Sequence, residues 1–239
     1  MKKFLIAGVA AATFCGASAF AADMPVKGSI AAPMFSWKGC YLGIEGGGEW
    51  GRSEHHFTDG VLGARINMDG AIIGGTSGCN WQNGNWVLGY ESDLSWWGLK
   101  NTAPNLFVPA FTFGTKSAWL STTRARLGIA ADRSLWYITG GLASSDIKAS
   151  DSTAGAFEQH SKYRSGWTLG AGAEFALADP RWSWKIEYLY VDFGKHTYDF
   201  SNPLFANRNV DLKENIVRIG LNYRWGDGWW GKAPVSAKY

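Results

Sequence analysis

The chain of 239 residues lacks any long apolar run after residue 22. A membrane-spanning helix needs about 20 consecutive apolar residues, so no such helix is predicted there. Net charge is also low. The formal charge is +3, and Lys2 and Lys3 account for two of those charges, so a chain without its first 21 residues would carry +1. That balance predicts no nucleic-acid partner.

Cysteine is scarce as well. The three cysteines form no Cys-x-x-Cys pair, and no histidine has the spacing of a zinc site. The sequence therefore predicts neither a metal nor a cofactor.

The N-terminus has the pattern of a secretory signal peptide over residues 1–21. Lys2 and Lys3 precede an apolar stretch, and Ala19-Phe20-Ala21 matches a cleavage box. We expect residues 22–36 to form a periplasmic lead-in, residues 37–225 a folded domain, and residues 226–239 a C-terminal periplasmic tail.

Alternation of apolar and charged residues is the most informative pattern in the remaining chain. In residues 215–225, Val217, Ile219 and Leu221 have one parity, and Arg218 and Arg224 have the other. Successive side chains of a strand point to opposite faces, so this segment has an apolar face and a charged face. Residues 86–96 repeat the pattern. Because these segments also end in Trp and Tyr, which suit a membrane interface, they indicate a transmembrane β-barrel rather than a soluble sandwich.

Eight such segments are predicted, which makes the fold an all-β, eight-stranded antiparallel barrel of the outer membrane. Their spans are 37–52, 69–82, 85–98, 114–130, 134–147, 163–178, 182–194 and 214–225. Tight turns are predicted at Asn83-Gly84, 131–133 and 178–181. The other connectors are long and polar: 53–68, 99–113, 148–162 and 195–213. Short periplasmic turns and longer outer loops are typical of such barrels, and an even strand number leaves both termini in the periplasm.

The seventh segment is less regular than the others. Lys185 and Glu187 share a face with Leu189, Val191 and Phe193. A β-bulge, or an early exit from the bilayer, is the expected reason.

If the apolar faces meet lipid, the charged residues of the opposite parity gather in the lumen. They are Glu45, Glu91, Asp93, Arg124, Arg126, Arg164, Glu174, Lys185, Glu187, Arg218 and Arg224. An eight-stranded barrel is only wide enough to be filled by side chains, and buried charges need partners. The favoured interpretation is an ion-pair plug, and the alternative is a selective pore.

Two cysteines, Cys40 and Cys79, lie near the periplasmic ends of the first two predicted strands, on the lipid-facing parity. Their setting is oxidising, so they form either a disulfide or two small thiols that never meet.

The four histidines, His55, His56, His160 and His196, all fall in the predicted outer loops. His55-His56 is a solvated loop pair in the favoured interpretation, and a metal or pH site in the other. Nothing in the sequence defines a catalytic geometry, so no enzyme activity is expected.

These motifs, in their order and spacing, resemble the immunogenic, RopB-type outer-membrane β-barrel proteins of alphaproteobacteria. The matching pieces are residues 37–43 (WKGCYLG), 74–75 (GG), 78–82 (GCNWQ), 86–93 (WVLGYESD), 123–128 (TRARLG), 137–143 (YITGGLA), 166–174 (GWTLGAGAE), 187–192 (EYLYVD) and 217–224 (VRIGLNYR). The start at residues 22–27 and the Ala-Lys-Tyr end also match.

This resemblance implies an eight-stranded, OmpA-type barrel with surface loops exposed to hosts and a role in envelope integrity, and it supplies no catalytic residues. The family usually has aromatic residues where Cys40 and Cys79 stand, so the joint change favours a paired role for the thiols. The loops match nothing familiar.

Three functions follow as hypotheses. The favoured one is a structural, surface-exposed and antigenic barrel, the alternative is a narrow porin for small solutes, and the third is a lipid A-modifying enzyme. We expect a monomer whose partners are outer-membrane lipid, lipopolysaccharide and the barrel assembly machinery. The assembly machinery would recognise Tyr239, the terminal aromatic residue. Host or surface ligands would bind the loops.

Overall fold

The structure is a computed structural model, and it describes residues 35–98, 100–202 and 205–225. The predicted signal peptide, most of the predicted lead-in and the predicted tail with Tyr239 lie outside the described residues. Within the described residues, no helix is long and apolar enough to cross a membrane.

The described residues form one antiparallel sheet of nine strands. The strands are β1 (Gly39–Phe57), β2 (Leu62–Asn83), β3 (Trp86–Trp97), β4 (Lys100–Pro104), β5 (Thr112–Ala131), β6 (Ser134–Thr153), β7 (Ala156–Ala176), β8 (Trp182–Tyr198) and β9 (Arg208–Trp225). The first strand pairs with both β2 and β9, which closes the sheet. Both β3 and β4 pair with β5, so they act as one interrupted strand. When β3 and β4 are counted as one strand, the ring has eight strands, and the predicted eight-stranded barrel is confirmed.

The strands extend well beyond the predicted ones. β2 has 22 residues and β6 has 20, although about 9–11 residues span a bilayer. Most of the residues predicted as outer loops are strand, and the connections there shrink to residues such as 58–61, 105–111 and 154–155. The predicted long loops are therefore wrong. The strand extensions bear polar residues on their outward face, and apolar residues such as Ile66 and Met68 face the interior, which is the reverse of the pattern by which the spans were recognised.

The turn after β2 lies one residue later than predicted. Asn83 and Trp86 pair across the hairpin, which makes Gly84-Asn85 the two-residue loop. Gly84 has a φ of 59°. Glycine with positive φ in the first central position is the arrangement of a type II′ turn, in contrast to the type I′ turn that Asn-Gly favours.

The irregular seventh segment has a different cause from the predicted one. β8 pairs with β9 without a register shift from Trp182 to Asp192, and the first shift comes between Asp192 and Lys195. Leu189 and Val191 are fully buried and face the interior, on the same side as Lys185. The bulge comes too late to explain the pattern, because the interior itself changes from charged to apolar along the strand before Asp192.

Large apolar side chains cover the outside of the barrel wall. Ile44, Ile73 and Ile138 are each more than 60% exposed. Trp81, Trp86, Trp136, Trp182 and Trp225 lie near the end with the tight turns. Trp50, Trp96 and Tyr163 lie further along the strands. This outward face, apolar with aromatic margins, is that of a protein surrounded by hydrocarbon.

Candidate functional site: the barrel interior

A cluster of ion pairs fills the interior nearer to the tight turns. Glu91 lies at its centre. Its Oε1 is 2.7 Å from Arg124 Nη2 and 3.0 Å from Lys185 Nζ, and its Oε2 is 3.2 Å from Arg126 Nη1. Strand register brings these groups together, because Glu91 faces Arg124 and Glu174 faces Lys185 across neighbouring strands.

Arg218 connects the other side of the cluster. Its Nη1 is 3.0 Å from Asp93 Oδ1, and its Nη2 is 2.6 Å from Glu187 Oε1. It also forms an ion pair with Glu45. Arg124 bonds Asp93 and Glu187 as well, so both guanidinium groups bridge several strands.

Nine of the eleven predicted lumen charges belong to this cluster. They are the acids Glu45, Glu91, Asp93, Glu174 and Glu187 and the bases Arg124, Arg126, Lys185 and Arg218. All nine are nearly or fully buried. Removal of charges from water is tolerable here because each one has an oppositely charged partner.

Two tyrosines complete the cluster, and sequence reasoning missed both. The Tyr41 hydroxyl donates to Glu91 at 2.6 Å and accepts from Arg126 at 2.8 Å. The Tyr137 hydroxyl donates to Glu187 at 3.1 Å, and its ring lies 3.9 Å below the Arg126 guanidinium. The available signal was parity, since Tyr137 has the opposite parity to the lipid-facing Trp136 and Ile138.

The remaining two predicted lumen charges lie elsewhere in the interior. Arg164 donates to Tyr198 Oη and to the Val210 carbonyl, each at 3.1 Å. Arg224 donates to the Ser36 carbonyl at 2.7 Å and lies over the ring of Trp37. Neither of the two joins the central cluster.

Apolar layers lie on both sides of the cluster. Toward the tight turns, fully buried Trp37 packs with Val87, Ala130, Leu135 and Tyr137, and its backbone N–H donates to Gln82 Oε1 at 2.6 Å. Toward the opposite end, a larger apolar layer includes Ile66, Met68, Ile72, Leu120, Leu189, Val191, Phe193, Leu212 and Ile216. Nine of the eleven predicted lumen charges therefore lie in one zone between apolar layers, and Arg164 and Arg224 lie outside that zone.

Two buried carboxylates, Glu49 on β1 and Glu214 on β9, were also missed. Both belong to the same interior parity as the cluster, and they lie beyond it toward the loops. Their carboxylate oxygens have no hydrogen-bond partner within the part of the chain that the structure describes. They differ from the nine cluster charges in that respect.

A polar group near the loop end includes His55, which is fully buried. Arg208 Nε donates to His55 Nδ1 at 2.9 Å, and Arg208 also pairs with Asp151. His55 Nε2 lies 2.9 Å from Thr115 Oγ1 and 3.2 Å from Ser53 Oγ. None of the three hydrogen-bond partners of His55 was predicted.

The predicted loop positions of the histidines are wrong. His55 and His56 lie in β1, His160 in β7 and His196 in β8, because the strands extend into the predicted loops. His160 Nε2 is 2.7 Å from Glu158 Oε1. Within the described ranges, no group of three or more His, Cys, Asp and Glu residues could hold a metal ion.

Comparison with known proteins shows the family to which this barrel belongs. The model of the outer membrane protein β-barrel domain matches residues 7–225. The chain belongs to the outer-membrane β-barrel family. It is 36% identical to the 31 kDa outer-membrane immunogenic protein of Brucella melitensis over 94% of this chain and 100% of the relative. It is 32% identical to a 22 kDa outer membrane protein of Rhizobium leguminosarum over 93% and 100%.

These relatives confirm the resemblance to alphaproteobacterial immunogenic barrels and the outer-membrane location, where the protein lies among membrane lipids. The structure of the outer membrane protease OmpT from Escherichia coli aligns with a TM-score of 0.52 at 10% identity, over 78% of this chain and 97% of that chain. That likeness concerns the fold alone.

Cys40 and Cys79 of this outer-membrane barrel form a disulfide, with 2.06 Å between the Sγ atoms. The two residues face each other directly across β1 and β2. Their parity is that of Leu42 and Trp81, so the bond lies on the outer face of the wall, near the tight turns.

Proposed function

We propose that this protein is a closed, structural barrel that reinforces the outer membrane and presents its loops at the cell surface. The observation that carries the proposal is the buried ion-pair cluster between two apolar layers. An eight-stranded barrel is only wide enough for its own side chains, and here charged groups bonded to several strands occupy that width.

Passage of a solute would require separation of these groups. Breaking a buried pair by removal of one partner costs about 3–5 kcal/mol, because the other charge stays buried. A solute that crossed the cluster would also meet Trp37 on one side and the layer around Leu189 and Phe193 on the other. These barriers favour a closed interior over the narrow porin.

The arrangement around His55 argues against an enzyme. An arginine can only donate, so Arg208 requires Nδ1 of His55 to be an acceptor, and the ring proton of the neutral histidine is then on Nε2. Nε2 therefore donates toward Ser53 and Thr115 and cannot take a proton from either hydroxyl. A serine nucleophile needs a base that accepts its proton, so we propose no catalytic role for this group, on lipid A or another substrate.

Orientation and partners belong to the same proposal. Phe35 and Trp225 lie at the end with the tight turns, and short turns are periplasmic in this class of barrel, so both termini would be periplasmic. The loops at residues 58–61, 105–111 and 199–207 would face outward as antigens, as the names of the immunogenic relatives suggest, and would meet any host ligand. We also propose that the protein is a monomer, that it contacts lipopolysaccharide, and that the barrel assembly machinery inserts it into the membrane.

Single-channel recording in a planar bilayer tests the closed interior. The folded protein, verified by its shift between boiled and unboiled samples on a gel, should give no reproducible conductance steps, while a known porin in the same bilayer does. Uniform steps in repeated insertions would overturn the proposal and establish the narrow porin.

Antibodies on intact cells test the orientation. Antibodies against residues 199–207 should label intact cells, and antibodies against residues 226–239 should label only cells with a permeabilised outer membrane. The reverse pattern would overturn the orientation.

A further inference from the structure

Three lysines form a row on the outside of the barrel. Lys100 on β4 faces Lys116 on β5, and Lys116 faces Lys148 on β6, in direct cross-strand register. Lys100 and Lys116 are exposed, and Lys148 is partly exposed. Direct register places all three on the same outward face.

Such a row is unfavourable by itself, because like charges directly opposite each other destabilise a sheet. None of the three lysines has an ion-pair partner within the described part of the chain. The nearest carboxylate on this face of β6 belongs to Asp146, two residues from Lys148, and it already accepts a hydrogen bond from Ser161.

Other sectors of the same rim pair their charges. Arg65 bonds Glu54 at 3.0 Å on β1 and β2. On β8 and β9, Lys213 faces Asp192 and Lys195 faces Asp211. Arg52 also faces Lys213 directly, but Lys213 has Asp192 on its other side. Among the described residues, only the sector of β4, β5 and β6 therefore presents three charges of one sign in successive register, and an external anion is the missing complement.

The position of the lysine row along the barrel indicates where in the membrane that anion would lie. Trp119 follows Lys116 across a β-bulge between Ser117 and Leu120, so it lies about two residues, or roughly 7 Å, further along the strand, and its ring lies 6.2 Å from that of Tyr163. Tyr163 faces Asp146, just below Lys148. Outward aromatic residues of a barrel mark the membrane interface at headgroup level. The lysines therefore lie just beyond the hydrocarbon, where lipid phosphates are.

We propose that Lys100, Lys116 and Lys148 bind the phosphate groups of an outer-leaflet glycolipid of the lipid A type. The inference rests on the proposed orientation, in which this end of the barrel is the outer one. Ammonium groups bind phosphate as point charges, and three of them in one row match a headgroup with more than one phosphate. The bound lipid in turn neutralises the repulsion between the lysines.

Binding of lipid A to the full chain tests the proposal. The protein is reconstituted in zwitterionic nanodiscs and titrated with bisphosphorylated lipid A and with dephosphorylated lipid A. The test variant is Lys100→Gln with Lys116→Gln and Lys148→Gln. The control variant, Arg52→Gln with Lys195→Gln and Lys213→Gln, removes the same number of charges from the rim sector where acidic residues are neighbours.

We expect the test variant to bind bisphosphorylated lipid A about tenfold to a hundredfold more weakly than the native protein, and the control to change by less than about threefold. Dephosphorylated lipid A should bind all three proteins weakly. Equal losses in both variants, or no loss in either, would overturn the lysine row. A test variant that loses affinity for a sulfated polysaccharide but keeps its affinity for lipid A would also overturn the proposal.

Failure of the proposed function would appear in other measurements. Conductance steps would refute the closed interior without any effect on this titration. Antibody labelling of the wrong side would refute the orientation, and with it the outer-leaflet source of the phosphate. Correct labelling with unchanged lipid A binding by the test variant would refute the lysine row alone.

Discussion

Replacement of Arg218 with methionine is the most direct perturbation of the ion-pair cluster. The Arg218 side chain is fully buried and pairs with Glu45, Asp93 and Glu187. In the native cluster, four cations face five carboxylates. After the substitution three cations remain, and four carboxylates, including Glu91 at 3.9 Å, lose a partner without access to water.

The expected cost is about 3–5 kcal/mol of the free energy of unfolding, the range for removal of one partner from a buried ion pair. Methionine has a similar length and fills the same space, so the loss measures charge rather than a cavity. Arg218→Met together with Glu187→Gln should recover part of the loss, because it removes one of the uncompensated charges.

Urea unfolding in lipid vesicles, followed by the fluorescence of the 14 tryptophans, measures the effect. With slopes of about 1–3 kcal/mol/M, the midpoint should fall by about 1 M or more. Arg65→Met is the matched control, since Arg65 belongs to a partly exposed pair with Glu54 and should cost less than about 1 kcal/mol. If Arg218→Met and Arg65→Met have equal midpoints and slopes, the ion-pair cluster does not stabilise the barrel.

Two further predictions concern the barrel wall. Reduction of the Cys40–Cys79 bond should lower the free energy of unfolding by about 2–4 kcal/mol. The double variant Cys40→Ser with Cys79→Ser is the control, and its urea midpoint should not respond to reductant. Equal midpoints for the oxidised and the reduced native protein would contradict the prediction. Gly47→Ala should lower the free energy of unfolding in urea by about 1–3 kcal/mol, because the added Cβ would collide with the Val217 carbonyl oxygen. Gly48→Ala is the control and should be neutral, since the nearest atom to its Cβ is Gly70 O at 3.9 Å. Equal midpoints for the two variants would show that the wall adjusts at Gly47 without cost.

The strand spans were predictable where lipid imposes a rule on the sequence. Hydrocarbon contacts every second residue of a spanning strand, so segments such as 215–225 and 86–96 alternate visibly. Beyond the bilayer that rule ends, and the outer halves of β1 and β2 read as polar loops. His55 was placed in a loop for this reason, although it is a buried strand residue.

The members of the ion-pair cluster were predictable as a set, but their partners were not. Parity alone assigned Glu91, Arg124 and Arg218 to one side of the wall. Which charges meet depends on the register between strands and on reach across the lumen, as for Arg218 and Glu45, which are far apart in sequence. Parity also could not separate Arg164 and Arg224 from the cluster, because both have the interior parity at different heights.

The sequence by itself determined that this protein is a membrane barrel, because each spanning strand must show lipid an apolar face and bury its polar one. Tertiary structure alone decided what the interior does. The stagger of neighbouring strands sets the height of every side chain, and so it separates the lumen into an ion-pair cluster and apolar layers and aligns Lys100, Lys116 and Lys148 in one row. Those heights arise from pairings between distant segments, which no local pattern of residues records.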